Sequence, residues 1–144
     1  MWSDTLLAAE QSHLIRVALW AVSSAALGTV LVAVITLRRV AAPIAFWFGV
    51  QTLAWGSVEL LVTAVRWYGL SMRDVSAATR LDRLTWLCVG LDVGIVGVGL
   101  TAAIMARTHE RRSGAIGAGL GIVVQGLGLL VLDLTFAAVV ARLV

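Results

Sequence analysis

Residues 114–140 read GAIGAGLGIVVQGLGLLVLDLTFAAVV, twenty-seven residues with a single charge, Asp133. A helix needs about 20 apolar residues to cross a hydrocarbon core of ~30 Å, so this stretch predicts a membrane span. Three more such stretches lie upstream, at about 84–105, 43–67 and 14–37. Arg38 and Arg39 end the earliest of them. Pro43 suits the first turn of the next, where its missing N–H had no helical partner. Trp67 and Tyr68 fit an interfacial aromatic belt. Short connections make consecutive helices antiparallel neighbours. The expectation is all-α: residues 1–144 as one domain, an integral membrane up-down-up-down four-helix bundle. The apolar runs lack period-two alternation, which argues against a β-barrel.

Composition agrees. Of 144 residues 60% are hydrophobic and 13% charged, where soluble domains have about 45–50% and ~25%. The mean hydropathy is +0.98. The formal net charge is +3, and all eleven residues of the Lys+Arg set are arginine. No basic run is long enough to suggest nucleic acid. Arginines flanking apolar segments suit lipid phosphates, so membrane lipid is the expected partner. Cys88 is the only cysteine, which excludes a thiol–disulfide oxidoreductase with its own redox pair. The opening MWSDTLLAAEQSH lacks a basic n-region, and the apolar stretch after it exceeds a signal-peptide core, so the first span is expected to be retained.

Loop 69–83, GLSMRDVSAATRLDR, carries two capping-box-like patterns, Ser71…Asp74 and Thr79…Asp82. The second would open the third span. The first would open a short interfacial helix with Leu70, Val75 and Ala78 turned toward lipid. RTHERRS, 107–113, reads as a compact basic turn. An even number of spans puts both termini on one side. Arg16, Arg66, Arg73, Arg80, Arg83 and Arg142 flank that side, and Arg38, Arg39, Arg107, Arg111 and Arg112 the other. Around the first span Arg38 and Arg39 outweigh Arg16, which places the termini outside the cell membrane.

Three carboxylates interrupt the apolar spans. Glu59 lies seven residues from Arg66, Asp92 nine from Arg83 and Asp133 nine from Arg142. At ~1.5 Å per residue all three sit roughly 10–14 Å below one face. A charge at that depth costs on the order of 2.5 kcal/mol or more unless paired, protonated or hydrated. Spacing also puts them on polar stripes: Gln51, Trp55 and Glu59; Thr85, Cys88 and Asp92; Gln125, Leu129 and Asp133; Trp20, Ser24 and Gly28. Ser24, counted from Arg16, would share the acid layer. Gln51 and Gln125 would form a second layer deeper in, with Thr29 nearby.

Three anionic carboxylates cannot share a dry cavity. They share protons, hold a cation, or face a wet or ligand-filled pocket. The expected ligand-binding residues are Glu59, Asp92, Asp133, Ser24, Gln51, Gln125 and Trp55. Oxygen ligands at Glu59, Asp92 and Asp133 would favour a hard cation. A structural alternative satisfies each acid inside the bundle, for example protonated Asp133 on Ser24. No intramembrane histidine supports haem; His13 and His109 read as solvated interfacial residues near opposite faces. Cys88 reads as a small buried hydrophobe. Trp2, Trp67 and Trp86 read as interfacial, while Trp20, Trp47 and Trp55 lie deeper. The glycine-rich GAIGAGLG sits within a span, so no nucleotide site is expected.

Gly90 with Gly94, and Gly117 with Gly121, form GxxxG pairs; Gly114, Gly121 and Gly128 recur every seven residues. Small residues let membrane helices approach closely. The expected use is packing of the third helix on the fourth, the alternative a homo-oligomer seam.

Four stretches carry a resemblance: WAVSSAALG (Trp20 to Gly28), WGSVE (Trp55 to Glu59), GLDVGIVGVG (Gly90 to Gly99) and QGLGLLVLD (Gln125 to Asp133). Together they resemble a prokaryotic family of uncharacterised four-helix membrane proteins defined by a domain of unknown function. The chain departs from the family pattern at Ser24, Gly56 and Glu59, where the family carries asparagines, and at Ile95, where it carries an aromatic. The resemblance implies the four-span fold and supports a site at Asp92 and Asp133. It implies no activity. Three functions remain open: an intramembrane pocket for a small ligand, cation or protons; a structural module whose polar layer fixes helix register; or an enzyme using carboxylate acid–base chemistry on a lipid or quinone-like substrate.

Overall fold

The structure is a computed structural model that describes residues 2–110 and 113–143, with the backbone alone for His109 and Glu110. Four helices make up almost all of it: α1 Trp2–Leu37, α2 Pro43–Tyr68, α3 Val75–Met105 and α4 Ser113–Val140. Each is long and apolar enough to cross a membrane. A π-helical turn, Ala106–Glu110, joins α3 to the last connection. Arg111 and Arg112, and the side chain of His109, lie outside the described residues.

Two boundaries differ from expectation. Helix α1 begins at Trp2, twelve residues before Leu14. Leu6, Glu10, His13, Leu14 and Val17 are buried along one stripe of it, so the opening segment has a packed face and continues the helix. Its tip is held by the Trp2 indole, which donates to the Leu143 carbonyl. Helix α3 begins at Val75 without a separate interfacial helix. Asp74 is its N-cap, with Oδ1 accepting from the Ala77 N–H at 2.7 Å and the Ser76 hydroxyl at 2.9 Å. The Ala77 N–H, then the Ser76 hydroxyl, hold the Asp74 carboxyl below its usual range. Ala78, expected toward lipid, is fully buried in a cluster with Leu6, Leu81, Phe136 and Val140. That cluster ties the start of α1 to the start of α3 and the end of α4.

Helix α4 packs against the other three, and α1 packs against α2. Among the described residues no α-carbon of α3 comes within 8 Å of α1 or α2. Helix α3 therefore packs its backbone closely on α4, meets α1 only through side chains such as those of the Leu6 cluster, and is separated from α2 by a gap. Glycines set the close seams. A Cβ at Gly28 would lie 2.5 Å from the Leu53 nitrogen, and one at Gly56 2.7 Å from the Ala21 carbonyl oxygen. Both close α1 on α2. One at Gly119 would lie 2.7 Å from Gly99 O, closing α3 on α4.

The two GxxxG pairs separate in role. Gly117 and Gly121 face α2, not α3 as expected; a Cβ at Gly117 would overlap the Ile44 carbonyl. Gly90 and Gly94 have nothing within 4 Å. They point away from α4, because α3 meets α4 through Val96, Gly99 and Ala103 instead. Gly117→Val is therefore expected to lower unfolding stability by about 1–3 kcal/mol through overpacking. Gly94→Ala is expected to cost nothing, since it adds a methyl in open space and removes a helix-interior glycine. Thermal unfolding in detergent checks both; equal effects would refute the seam.

Outside the Leu6 cluster, the chain buries charged groups and exposes apolar ones. Glu10, His13, Glu59, Asp92, Gln125 and Asp133 are all buried. Large apolar side chains such as Leu19, Leu61, Val65 and Leu87 are more than half exposed. Soluble monomers rarely expose a contiguous apolar patch beyond a few hundred Å².

Candidate functional site

The gap between α2 and α3 holds a partly open cavity of about 480 Å³ near the ends of the helices that carry loop 69–73. Helix geometry explains which side chains reach it. On α2, Val62 and Arg66 reach it, and Glu59 continues that face about one turn deeper. On α3, Leu81, Thr85 and Cys88 do the same, and Asp92 continues that face one turn deeper. Helices α1 and α4 supply the floor through His13, Asp133 and Phe136.

The wall charges are organised. Arg73, in the loop, clamps Glu10 of α1 with two parallel bonds, Nε to Oε2 at 2.9 Å and Nη2 to Oε1 at 2.7 Å. The Glu10 side chain is 3% exposed, and the fork geometry suits a desolvated carboxylate. The hydrogen bond to Glu10 holds the Arg73 guanidinium above its ordinary value. Arg66 and Arg80 also line the cavity. No described side chain hydrogen-bonds or ion-pairs with either, although Arg80 lies within electrostatic reach of Asp74.

At the floor, His13 Nε2 stands 3.3 Å from Asp133 Oδ1. The imidazole stacks on Phe136 at 4.2 Å between ring centroids and 11° between planes. His13 is thus buried, not solvated as expected. Because α1 extends beyond it, the histidine is carried inward against α4. Asp133 accordingly pairs with His13 and not with Ser24.

Deeper on the same faces stand Glu59 and Asp92, both buried. Their charges are close enough to interact, as are those of Asp92 and Asp133. Neither Glu59 oxygen has a hydrogen-bond partner, and Asp92 Oδ2 has none. A buried polar group without a partner costs roughly 1–3 kcal/mol, and more if charged. Asp92 thus lies within electrostatic reach of both Glu59 and Asp133. Among the described residues, however, no three His, Cys, Asp or Glu side chains group closely enough to hold a metal ion. The hard-cation expectation at Glu59, Asp92 and Asp133 thus finds no ligand cage, because α3 stands off from α2.

The neutral partners belong elsewhere. Ser24 and Gln125 hydrogen-bond through both amide atoms, at 3.1 and 3.2 Å. The Trp20 indole donates to Gln125 Oε1 at 2.9 Å. This closed network ties α1 to α4 and puts Ser24 in the deeper layer, not the acid layer. Gln51 packs at Gly121, and the Trp55 indole N–H is buried without a partner; neither lines the cavity. Cys88 does line it, half-buried beside Asp133, Arg66 and Asp92.

Sequence reasoning did not assign Glu10, His13, Arg66, Arg73 or Arg80 to the site. A signal was present for two of them. Leu6, Glu10, His13, Val17 and Ala21 follow helical spacing into the first span, which places both polar residues on its packed face.

Compared with known proteins, the chain matches the model of a family of unknown function (DUF6992) over residues 16–134. No curated protein and no solved structure matches it.

Proposed function

This chain belongs to that family, and we propose that it is a multi-pass membrane protein that binds a small ligand in the pocket between α2 and α3. Consecutive helices cross the bilayer in opposite directions. The exposed apolar surface faces lipid, and the polar residues face inward. Glu59, Asp92 and Asp133 accept hydrogen bonds or protons from the ligand. One observation carries this reading: both oxygens of Glu59 and one of Asp92 are buried and unpartnered, about one helical turn deeper on the α2 and α3 faces whose Val62 and Cys88 line a cavity of about 480 Å³. Ionisable groups so placed within a membrane mark functional sites. A pocket of that volume falls in the usual range for small-molecule sites.

A register role suits other residues. Ser24, Gln125 and Trp20 satisfy one another and leave little for a ligand to complete. Mass spectrometry of small molecules that co-purify with the chain separates the two readings. Asp92→Asn and Asp133→Asn are expected to deplete the bound species, while Ser24→Ala retains it. Unchanged content in both asparagine variants, each shown folded by circular dichroism, discards the ligand reading.

A further inference from the structure

We propose that the occupant of this cavity is a membrane lipid with an anionic phosphate headgroup, entering sideways between α2 and α3. The proposal deepens the pocket reading above and rests on it. Two arginines carry the charge argument. Arg66 on α2 and Arg80 on α3 stand on opposite walls. Arg73, the third arginine there, is already committed to Glu10, and Asp133 to His13. Two guanidiniums without an ion-pair partner therefore bracket the space between the walls. Guanidiniums bind phosphate through forked, charge-assisted bonds.

Position agrees with charge. Arg66 lies two residues before the end of α2, and Arg80 five residues into α3. Both sit at the depth where lipid phosphates reside if the helices span the bilayer. The walls agree as well. Val62 and Leu84 line the cavity, yet are 52% and 58% exposed, so the space opens outward past apolar side chains. With α3 nowhere within 8 Å of α2 by α-carbons among the described residues, acyl chains can leave through that opening without crossing a packed seam. The cavity is too small for a whole lipid and large enough for a headgroup. Headgroup hydroxyls would then donate inward to Asp133, which lines the cavity.

The test uses delipidated, purified full-length chain. Phosphatidylglycerol, phosphatidylcholine and inorganic phosphate are added separately, and binding is read by native mass spectrometry and by melting. Phosphatidylglycerol is expected to bind one per chain and raise the melting temperature, with phosphatidylcholine weaker. Arg66→Gln with Arg80→Gln is expected to weaken it by about tenfold or more, the scale of a charge-assisted hydrogen bond. Arg66→Lys with Arg80→Lys should recover part of the loss, which shows that the pair folds. Arg107→Gln, on the opposite end, should change nothing.

Equal phosphatidylglycerol binding by the glutamine pair overturns the proposal. Equal stabilisation by inorganic phosphate overturns the lipid source and leaves a free anion. If lipid binding fails while Asp92→Asn and Asp133→Asn still deplete co-purified small molecules, the pocket reading survives and the lipid assignment does not.

Discussion

Arg73→Ala is expected to destabilise the folded chain by about 3 kcal/mol, the lower end of the 3–5 kcal/mol typical when one partner of a buried ion pair is removed. The lower end applies because the Arg73 side chain is 25% exposed while that of Glu10 is 3% exposed, so water screens one partner only. The loss comes mainly from stranding the Glu10 carboxylate, which accepts both guanidinium bonds. Glu10→Leu with Arg73→Leu should recover most of the stability, since two apolar groups strand no charge. Denaturant unfolding in detergent measures all three proteins. A loss below about 1 kcal/mol for Arg73→Ala would place this pair among ordinary surface salt bridges. The loop would then not be fastened to α1, and the cavity would lack its roof.

The same pair shows where sequence reasoning stops. Glu10 and Arg73 are 63 positions apart, and nothing local to either marks the other. What was legible is what a single helix encodes by itself: four apolar runs, the proline at the start of α2, and the acid faces on α2, α3 and α4. Helices α2 and α4 begin and end within one residue of the second and fourth apolar runs. What was not legible depends on a partner helix. The segment before Leu14 is polar enough to read as a tail until Leu6 meets the cluster with Phe136. Counting from Arg16 puts Ser24 level with the acids. Helix α1 continues fourteen residues beyond Arg16, to Trp2, about four further turns, and Ser24 meets Gln125 in the deeper layer instead. Gly90 and Gly94 likewise have the same spacing as Gly117 and Gly121, but α3 meets α4 with a different face. Motif spacing records which residues share a stripe and leaves open what the stripe touches.

His13→Leu is expected to cost about 1–3 kcal/mol, because it leaves Asp133 in the floor of the cavity without its nearest partner. Two contacts are lost, the 3.3 Å approach to Asp133 and the stack on Phe136, and they can be separated. Phe136→Leu removes the stack alone, worth about 0.5–1.5 kcal/mol beyond its area. A double-mutant cycle of His13→Leu with Asp133→Leu should give a coupling of about 1–3 kcal/mol, the range for residues in contact. Ser24→Ala combined with Asp133→Leu should instead be additive to within about 0.5 kcal/mol, because Ser24 bonds Gln125 and not Asp133. The two cycles decide between alignments of α1 against α4 that differ by eleven residues, roughly 16 Å along the helix. Strong coupling of Ser24 to Asp133 with none for His13 would slide α1 out of the cavity. Glu10 would leave with it, and the floor beneath Arg66 and Arg80 would have to be built from other residues.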